Sequence, residues 1–160
     1  MPITAIQGSG PYDAYRFAIV VSMYHDFVTE RLLTGALATL AEAGVPEDAI
    51  AVIRVPGAFE IPAAARQAAQ TGRYHAVVSL GCLIRGATSH FDFIASAVAH
   101  GLTDAAGATG VPMAFGVLTT NSVEEALERA GEGPANKGRE AARAALEMAA
   151  VADRLARGAP

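Results

Sequence analysis

Apolar residues fall in short, unbroken runs separated by stretches of helical period. The runs are RFAIVVS (16–22), AIAVIRV (49–55), HAVVSLGCLI (75–84) and PMAFGVLT (112–119). They are continuous rather than alternating, which predicts strands buried on both faces. Between the first two, Asp26 stands where a helix N-cap belongs. Leu33, Ala36, Leu37 and Leu40 form an apolar helical face, and Gly44 and Pro46 end it. Pro56-Gly57 turns the chain into AFEIPAAARQAAQTG (58–72), which carries a short helix. A helix runs from about Ser89 to Ala106. Ser122-x-x-Glu125 is a capping box and opens a short helix that stops at Gly131. Asn136 caps a long C-terminal helix, broken only by Gly158 and Pro160.

Strands alternating with helices predict a parallel sheet covered on both faces. The expected fold is α/β: a three-layer α/β/α sandwich with a flavodoxin-like, four-stranded parallel sheet. One domain spans residues 1–160, with an N-terminal arm over 1–14 and an α/β core over 15–157. The segment ITAIQG (3–8) reads as an additional edge strand, paired with a neighbouring subunit.

Sheets of this kind bind ligands beyond the carboxyl ends of their strands. Here those ends are Ser22-Met23-Tyr24-His25, Val55 to Glu60, Cys82 to His90 and Phe115 to Thr120. They collect two histidines, several aromatics, a glutamate and hydroxyls, which locates a site without naming a reaction. His90 is either a packing histidine or a proton carrier, since a neutral imidazole at a site mouth can take and return a proton. Gly86-Ala87-Thr88-Ser89 offers backbone N–H groups and hydroxyls at a helix start. These fit N-capping by Thr88 or Ser89, or an anion such as phosphate. Glu60 is a dipole-favoured first-turn acid or an acceptor for the hydroxyls of a polyol-like ligand. Tyr24 is a core aromatic or a stacking face for a flat ring. Arg129 reads as a solvated helix residue. Lys137 is the only lysine among twelve basic residues, a hint that arginine would not serve there. Arg85 is the most conspicuous charge in the third strand's exit, and a structural ion pair is its default role.

Composition narrows the classes. Hydrophobic residues make up 52 % and charged residues 18 %, below the usual share of about a quarter. So little charge implies that some nominal surface is hidden in subunit contacts. Net charge is −4 and no basic cluster stands out, so nucleic acid and anionic membranes are not expected partners. No stretch approaches the roughly twenty apolar residues of a membrane span. The N-terminal MPITAIQGSGPYDAY lacks the layout of a signal peptide, and a cytoplasmic protein is expected. A single cysteine, Cys82, excludes an intramolecular disulfide framework. GEGPANKG (131–138) looks like a phosphate-binding loop, but Asn136 stands where the second glycine belongs and no strand precedes it. GSG at 8–10 lacks a third glycine, and His25, His75, His90 and His100 have no zinc-type spacing.

Four motifs, in order and at matching separations, resemble one family. VPGAFEIP (55–62), LGCLIRGATSHFDFI (80–94), FGVLTTNSVEEALERAG (115–131) and NKGREAA (136–142) look like the lumazine synthases. The resemblance covers nearly the whole chain. It implies condensation of 5-amino-6-(D-ribitylamino)uracil with 3,4-dihydroxy-2-butanone 4-phosphate to 6,7-dimethyl-8-ribityllumazine, a step of riboflavin biosynthesis, with no cofactor and no metal. Residue by residue, it implies that Tyr24 stacks on the pyrimidine and that Ala58, Phe59 and Glu60 hold the ribityl chain. Cys82, Leu83 and Ile84 line the pyrimidine pocket. Ala87 and Thr88 bind the butanone phosphate, with Lys137 near its phosphate end, and His90 shuttles protons. Phe115 and Arg129 reach in from an adjacent subunit, Phe115 against the ring and Arg129 onto the phosphate. The implied partners are the two small-molecule substrates, further copies of the chain in a pentamer or a sixty-subunit icosahedral shell, and riboflavin synthase. The short connection Glu132 to Ala135 and the segment ITAIQG resemble those of shell formers. Tyr24 replaces the family's usual phenylalanine or tryptophan, and His25 stands where asparagine is frequent. Two other readings remain: a binding or shell-forming paralogue without catalysis, and an archaeal-type riboflavin synthase, which the RGATSH corner fits less well.

Overall fold

A computed structural model describes residues 2–158 of the chain. Four strands, β1 (Phe17–Ser22), β2 (Ile50–Val55), β3 (Ala76–Ile84) and β4 (Met113–Thr120), form one sheet in the order β2-β1-β3-β4, every pair parallel. Five helices accompany them: α1 (Asp26–Glu42), α2 (Ile61–Gln70), α3 (His90–Thr109), α4 (Val123–Arg129) and α5 (Lys137–Arg157). The expected three-layer sandwich is therefore present.

The unbroken apolar runs have a simple cause. Successive residues of a strand point to opposite faces, and both faces here are covered. Phe17, Ile19 and Val21 of β1 join Val78, Leu80 and Cys82 of β3 in a core completed by α1, α4 and α5. Ala18 and Val20 join Val77 and Val117 in a second core under α2 and α3. α1 and α5 approach closely because Gly138 has no side chain: a Cβ there would lie 2.0 Å from the Leu32 carbonyl oxygen. Both expected caps on the later helices form. Ser122 Oγ accepts from Glu125 N–H at 3.1 Å, and Asn136 Oδ1 accepts from the N–H groups of Gly138 and Arg139 at 2.8 and 3.1 Å. Gly158 ends α5 in the left-handed conformation; Pro160, the other expected terminator, lies outside the described residues.

Two expectations about helix caps need correction. Asp26 is not the cap of α1. Met23 and Tyr24 N–H groups extend the β1–β2 ladder onto the carbonyls of Val55 and Pro56, at 2.8 and 3.0 Å. The chain must then reverse within one residue, and His25 does so at φ 59°, ψ 46°, with Asp26 already in the first helical turn. Ser89 occupies the N-cap of α3, but its side chain accepts no capping bond. The Thr88 hydroxyl does reach the His90 N–H, at 3.4 Å. The segment ITAIQG forms no strand among the described residues. The arm lies along α5 instead: Arg154 donates to the carbonyl oxygens of Gln7 and Ser9 and to Ser9 Oγ. Gly8 sits so close to that helix that a Cβ would fall 2.2 Å from the Glu147 oxygen. Ile3 beyond this seat is 96 % exposed. No helix among the described residues is long and apolar enough to cross a membrane.

Candidate active site

The strand order reverses between β1 and β3, the crevice where doubly wound sheets take ligands. An open cleft of about 680 Å³ lies there. β1 delivers Tyr24 and His25 to it. The turn after β2 delivers Gly57, Ala58, Phe59 and Glu60. β3 delivers Cys82, Leu83 and Ile84, and the bend and first turns that follow deliver Gly86, Thr88, His90, Phe91 and Ile94. Val123, the first residue of α4, closes one side.

Nine of the residues singled out from the sequence thus line one cavity: Tyr24, Ala58, Phe59, Glu60, Cys82, Leu83, Ile84, Thr88 and His90. Ala87 is exposed in the bend between Gly86 and Thr88, at the rim. The other three do not line the cleft. Phe115, half exposed on β4, faces a shallower cavity of about 330 Å³ against α3, beside Ala99, Leu102 and Met113. Arg129 ends α4 and donates to the Glu125 carbonyl at 3.1 Å. Lys137 begins α5 and pairs with Glu140 at 2.8 Å.

Tyr24 and Phe59 are 68 % and 62 % exposed, unusual for large apolar faces inside a concavity and suited to covering a flat ligand. The His25 ring stands edge-on to Tyr24, with centroids 4.5 Å apart, and Phe27 backs it at 5.8 Å. Burial holds the His25 imidazole below its ordinary pKa. Glu60 enters the cleft from a one-turn 3-10 helix, Ala58–Glu60, and a Cβ on Gly57 would lie 3.3 Å from its Oε1. His90 lines the cavity, and its backbone N–H donates to the Thr88 hydroxyl at 3.4 Å. Cys82 contributes a neutral thiol: burial pushes its pKa up to about 11, so it is no nucleophile at pH 7. The cleft lining holds a carboxylate and two imidazoles but no arginine or lysine.

Gly86, part of the candidate anion corner, lines the cavity too, as do Gly57, Phe91, Ile94 and Val123, which the sequence did not single out. Ile94 lies four residues after His90 and three after Phe91, so it neighbours each of them on the helix surface. Arg85 is not in the cleft. Its guanidinium forks onto Asp92 at 3.2 and 3.3 Å, confirming the expected ion pair.

The fold and the cleft define a doubly wound α/β protein with an open cleft at the switch point, built from three strand ends and a helix N-terminus. The family model for 6,7-dimethyl-8-ribityllumazine synthase matches residues 14–153, all of the core but the last turn of α5. The chain belongs to that family.

Proposed function

We propose that the chain condenses 5-amino-6-(D-ribitylamino)uracil with 3,4-dihydroxy-2-butanone 4-phosphate, releasing phosphate and water and forming 6,7-dimethyl-8-ribityllumazine. The amine of the pyrimidine attacks the ketone and water leaves as the imine forms. Phosphate is eliminated next, and ring closure on the ribitylamine nitrogen expels water again. Each step moves a proton, which His90 takes and returns. Tyr24 stacks on the pyrimidine, with Cys82, Leu83 and Ile84 beneath it. Ala58, Phe59 and Glu60 hold the ribityl chain, Glu60 accepting from its hydroxyls. Both partners are reactive on their own, so holding them together supplies much of the rate.

The observation that carries this reading is the meeting of Tyr24, Glu60, Thr88 and His90 in one cleft at the sheet's switch point. Backbone N–H groups at a helix start suit a phosphate, and Ala87 and Thr88 receive it. A phosphate near a carboxylate also calls for a cation. With none in the lining, Arg129 of a neighbouring copy supplies it, Lys137 lies near the phosphate end, and Phe115 of that copy covers the pyrimidine. The site is then shared between subunits. The same reading makes the assembly a pentamer of the kind that builds a sixty-subunit shell, with residues 3–8 pairing with a neighbour and the protein acting in the cytoplasm. Riboflavin synthase is the protein partner this reading implies.

The direct test mixes both substrates with purified protein and follows product absorbance. Clear acceleration over the spontaneous reaction is expected; none would overturn the assignment. In sedimentation, a shell-sized species is expected, and pentamers alone would overturn the shell.

A further inference from the structure

Arg85 stands at the end of β3, where the chain leaves the sheet for the cleft. Its backbone is fixed to the neighbouring strand, with its N–H on the Thr120 carbonyl at 2.8 Å. Its side chain joins three further points. Nε donates to Asn121 Oδ1 at 3.2 Å, in the loop between β4 and α4. Both terminal nitrogens donate to the Asp92 carboxylate in the first turn of α3. The guanidinium carbon lies 4.5 Å from the centre of the Phe91 ring, which itself lines the cleft. Apart from the Ser89 carbonyl, which accepts from the N–H groups of Asp92 and Phe93 at 3.0 and 3.3 Å, the intervening residues offer little else to fix that turn. Gly86 has open space where a Cβ would be, the Ser89 side chain makes no capping bond, and the Thr88–His90 contact is long at 3.4 Å. His90 sits between Ser89 and Phe91, in the turn that Arg85 clamps.

We infer that Arg85 is a positioning residue for His90: its fork onto Asp92 and its stacking on Phe91 lock the first turn of α3 to the ends of β3 and β4. The proton carrier is thereby held over the cleft. This rests on the proposed reaction. It also explains why arginine occupies the position: a lysine carries the charge but neither the fork nor the planar face. The pair is about half exposed, and such pairs add little stability. Its effect belongs in geometry, where a misplacement of about 1 Å can slow a reaction about a hundredfold.

The test is a double-mutant cycle of Arg85→Gln and His90→Ala, read in kcat, in both KM values and in amide hydrogen exchange of residues 86–93. Arg85→Gln alone is expected to lower kcat about tenfold with both KM values within about threefold. In the His90→Ala background it is expected to do nothing further to kcat. Arg85→Lys should match Arg85→Gln, and exchange of residues 86–93 should accelerate about tenfold in both while α5 stays protected. Asp92→Asn, which opens the clamp from the other side, reproduces the result if Arg85→Gln folds poorly. The same loss in both His90 backgrounds, full rescue by lysine, or unchanged exchange would overturn the inference. A wild-type protein with no condensation activity would sink the reaction and with it the role toward His90. The exchange data would then still decide whether Arg85 anchors the turn.

Discussion

Tyr24, Glu60, Thr88 and His90 come from three separate strand exits and meet in one cleft, whereas Phe115, Arg129 and Lys137 come from a single later stretch of chain and none of them lines it. The first group presents side chains to open space. The second is occupied locally, Arg129 by a carbonyl of its own helix and Lys137 by Glu140 one turn on. On the proposed function, one chain assembles the ring-stacking, hydroxyl-accepting and proton-carrying groups in its cleft, whose lining holds no arginine or lysine for the phosphate. A head-to-tail contact between copies brings one surface of a subunit to a different surface of the next and closes into a ring when its rotation permits. On the proposed function, such a contact is what brings the two groups together.

The largest expected effect lies in the first group. His90→Ala should reduce kcat about a hundredfold and leave residual turnover, because the condensation also runs unaided. An unchanged kcat would mean that His90 only packs. Next comes the second group: Arg129→Ala should raise the KM of the butanone phosphate about thirtyfold, as expected for losing a charge-assisted contact. The pyrimidine KM should stay within about twofold. Equal effects on both substrates would erase the division of labour. A third test, on reagent access rather than turnover, addresses the floor of the cleft. With its pKa raised to about 11, Cys82 should be alkylated by iodoacetamide at pH 8 about a hundredfold more slowly than an exposed thiol. The rate should keep climbing to about pH 11, and saturating pyrimidine should suppress it. A rate that levels off near pH 8.5 would show a far more solvated thiol.

The sheet was readable because β1 and β3 are buried on both faces, so their apolar runs have no competing interpretation. Ser122 and Asn136 were readable because their caps act within three residues. Elsewhere a neighbour in space decided the outcome. Asp26 looks like a cap, yet bonds from Met23 to the end of β2 and from Tyr24 to the turn after it carry the ladder up to His25, where the chain reverses. ITAIQG has a strand's composition, but within one chain the seat on α5 formed by Arg154 and Gly8 holds its C-terminal end away from the sheet. The cleft residues were legible where they adjoin a strand end. Val123 was not, because it faces the cleft only through the placement of α4. Arg85 announced an ion pair but not its partner: Asp92 lies seven residues on and becomes a neighbour only once α3 turns back over the end of β3.

Whether the two groups work in one site across a subunit boundary is decided by mixing. His90→Ala and Arg129→Ala subunits are unfolded together, refolded at equal amounts and assayed at low butanone phosphate. If each site takes His90 from one copy and Arg129 from the next, about a quarter of the sites regain both residues. Activity should then rise well above that of either variant refolded alone. Activity equal to the mean of the two separate variants would place both residues in the same chain's site and contradict the shared cleft.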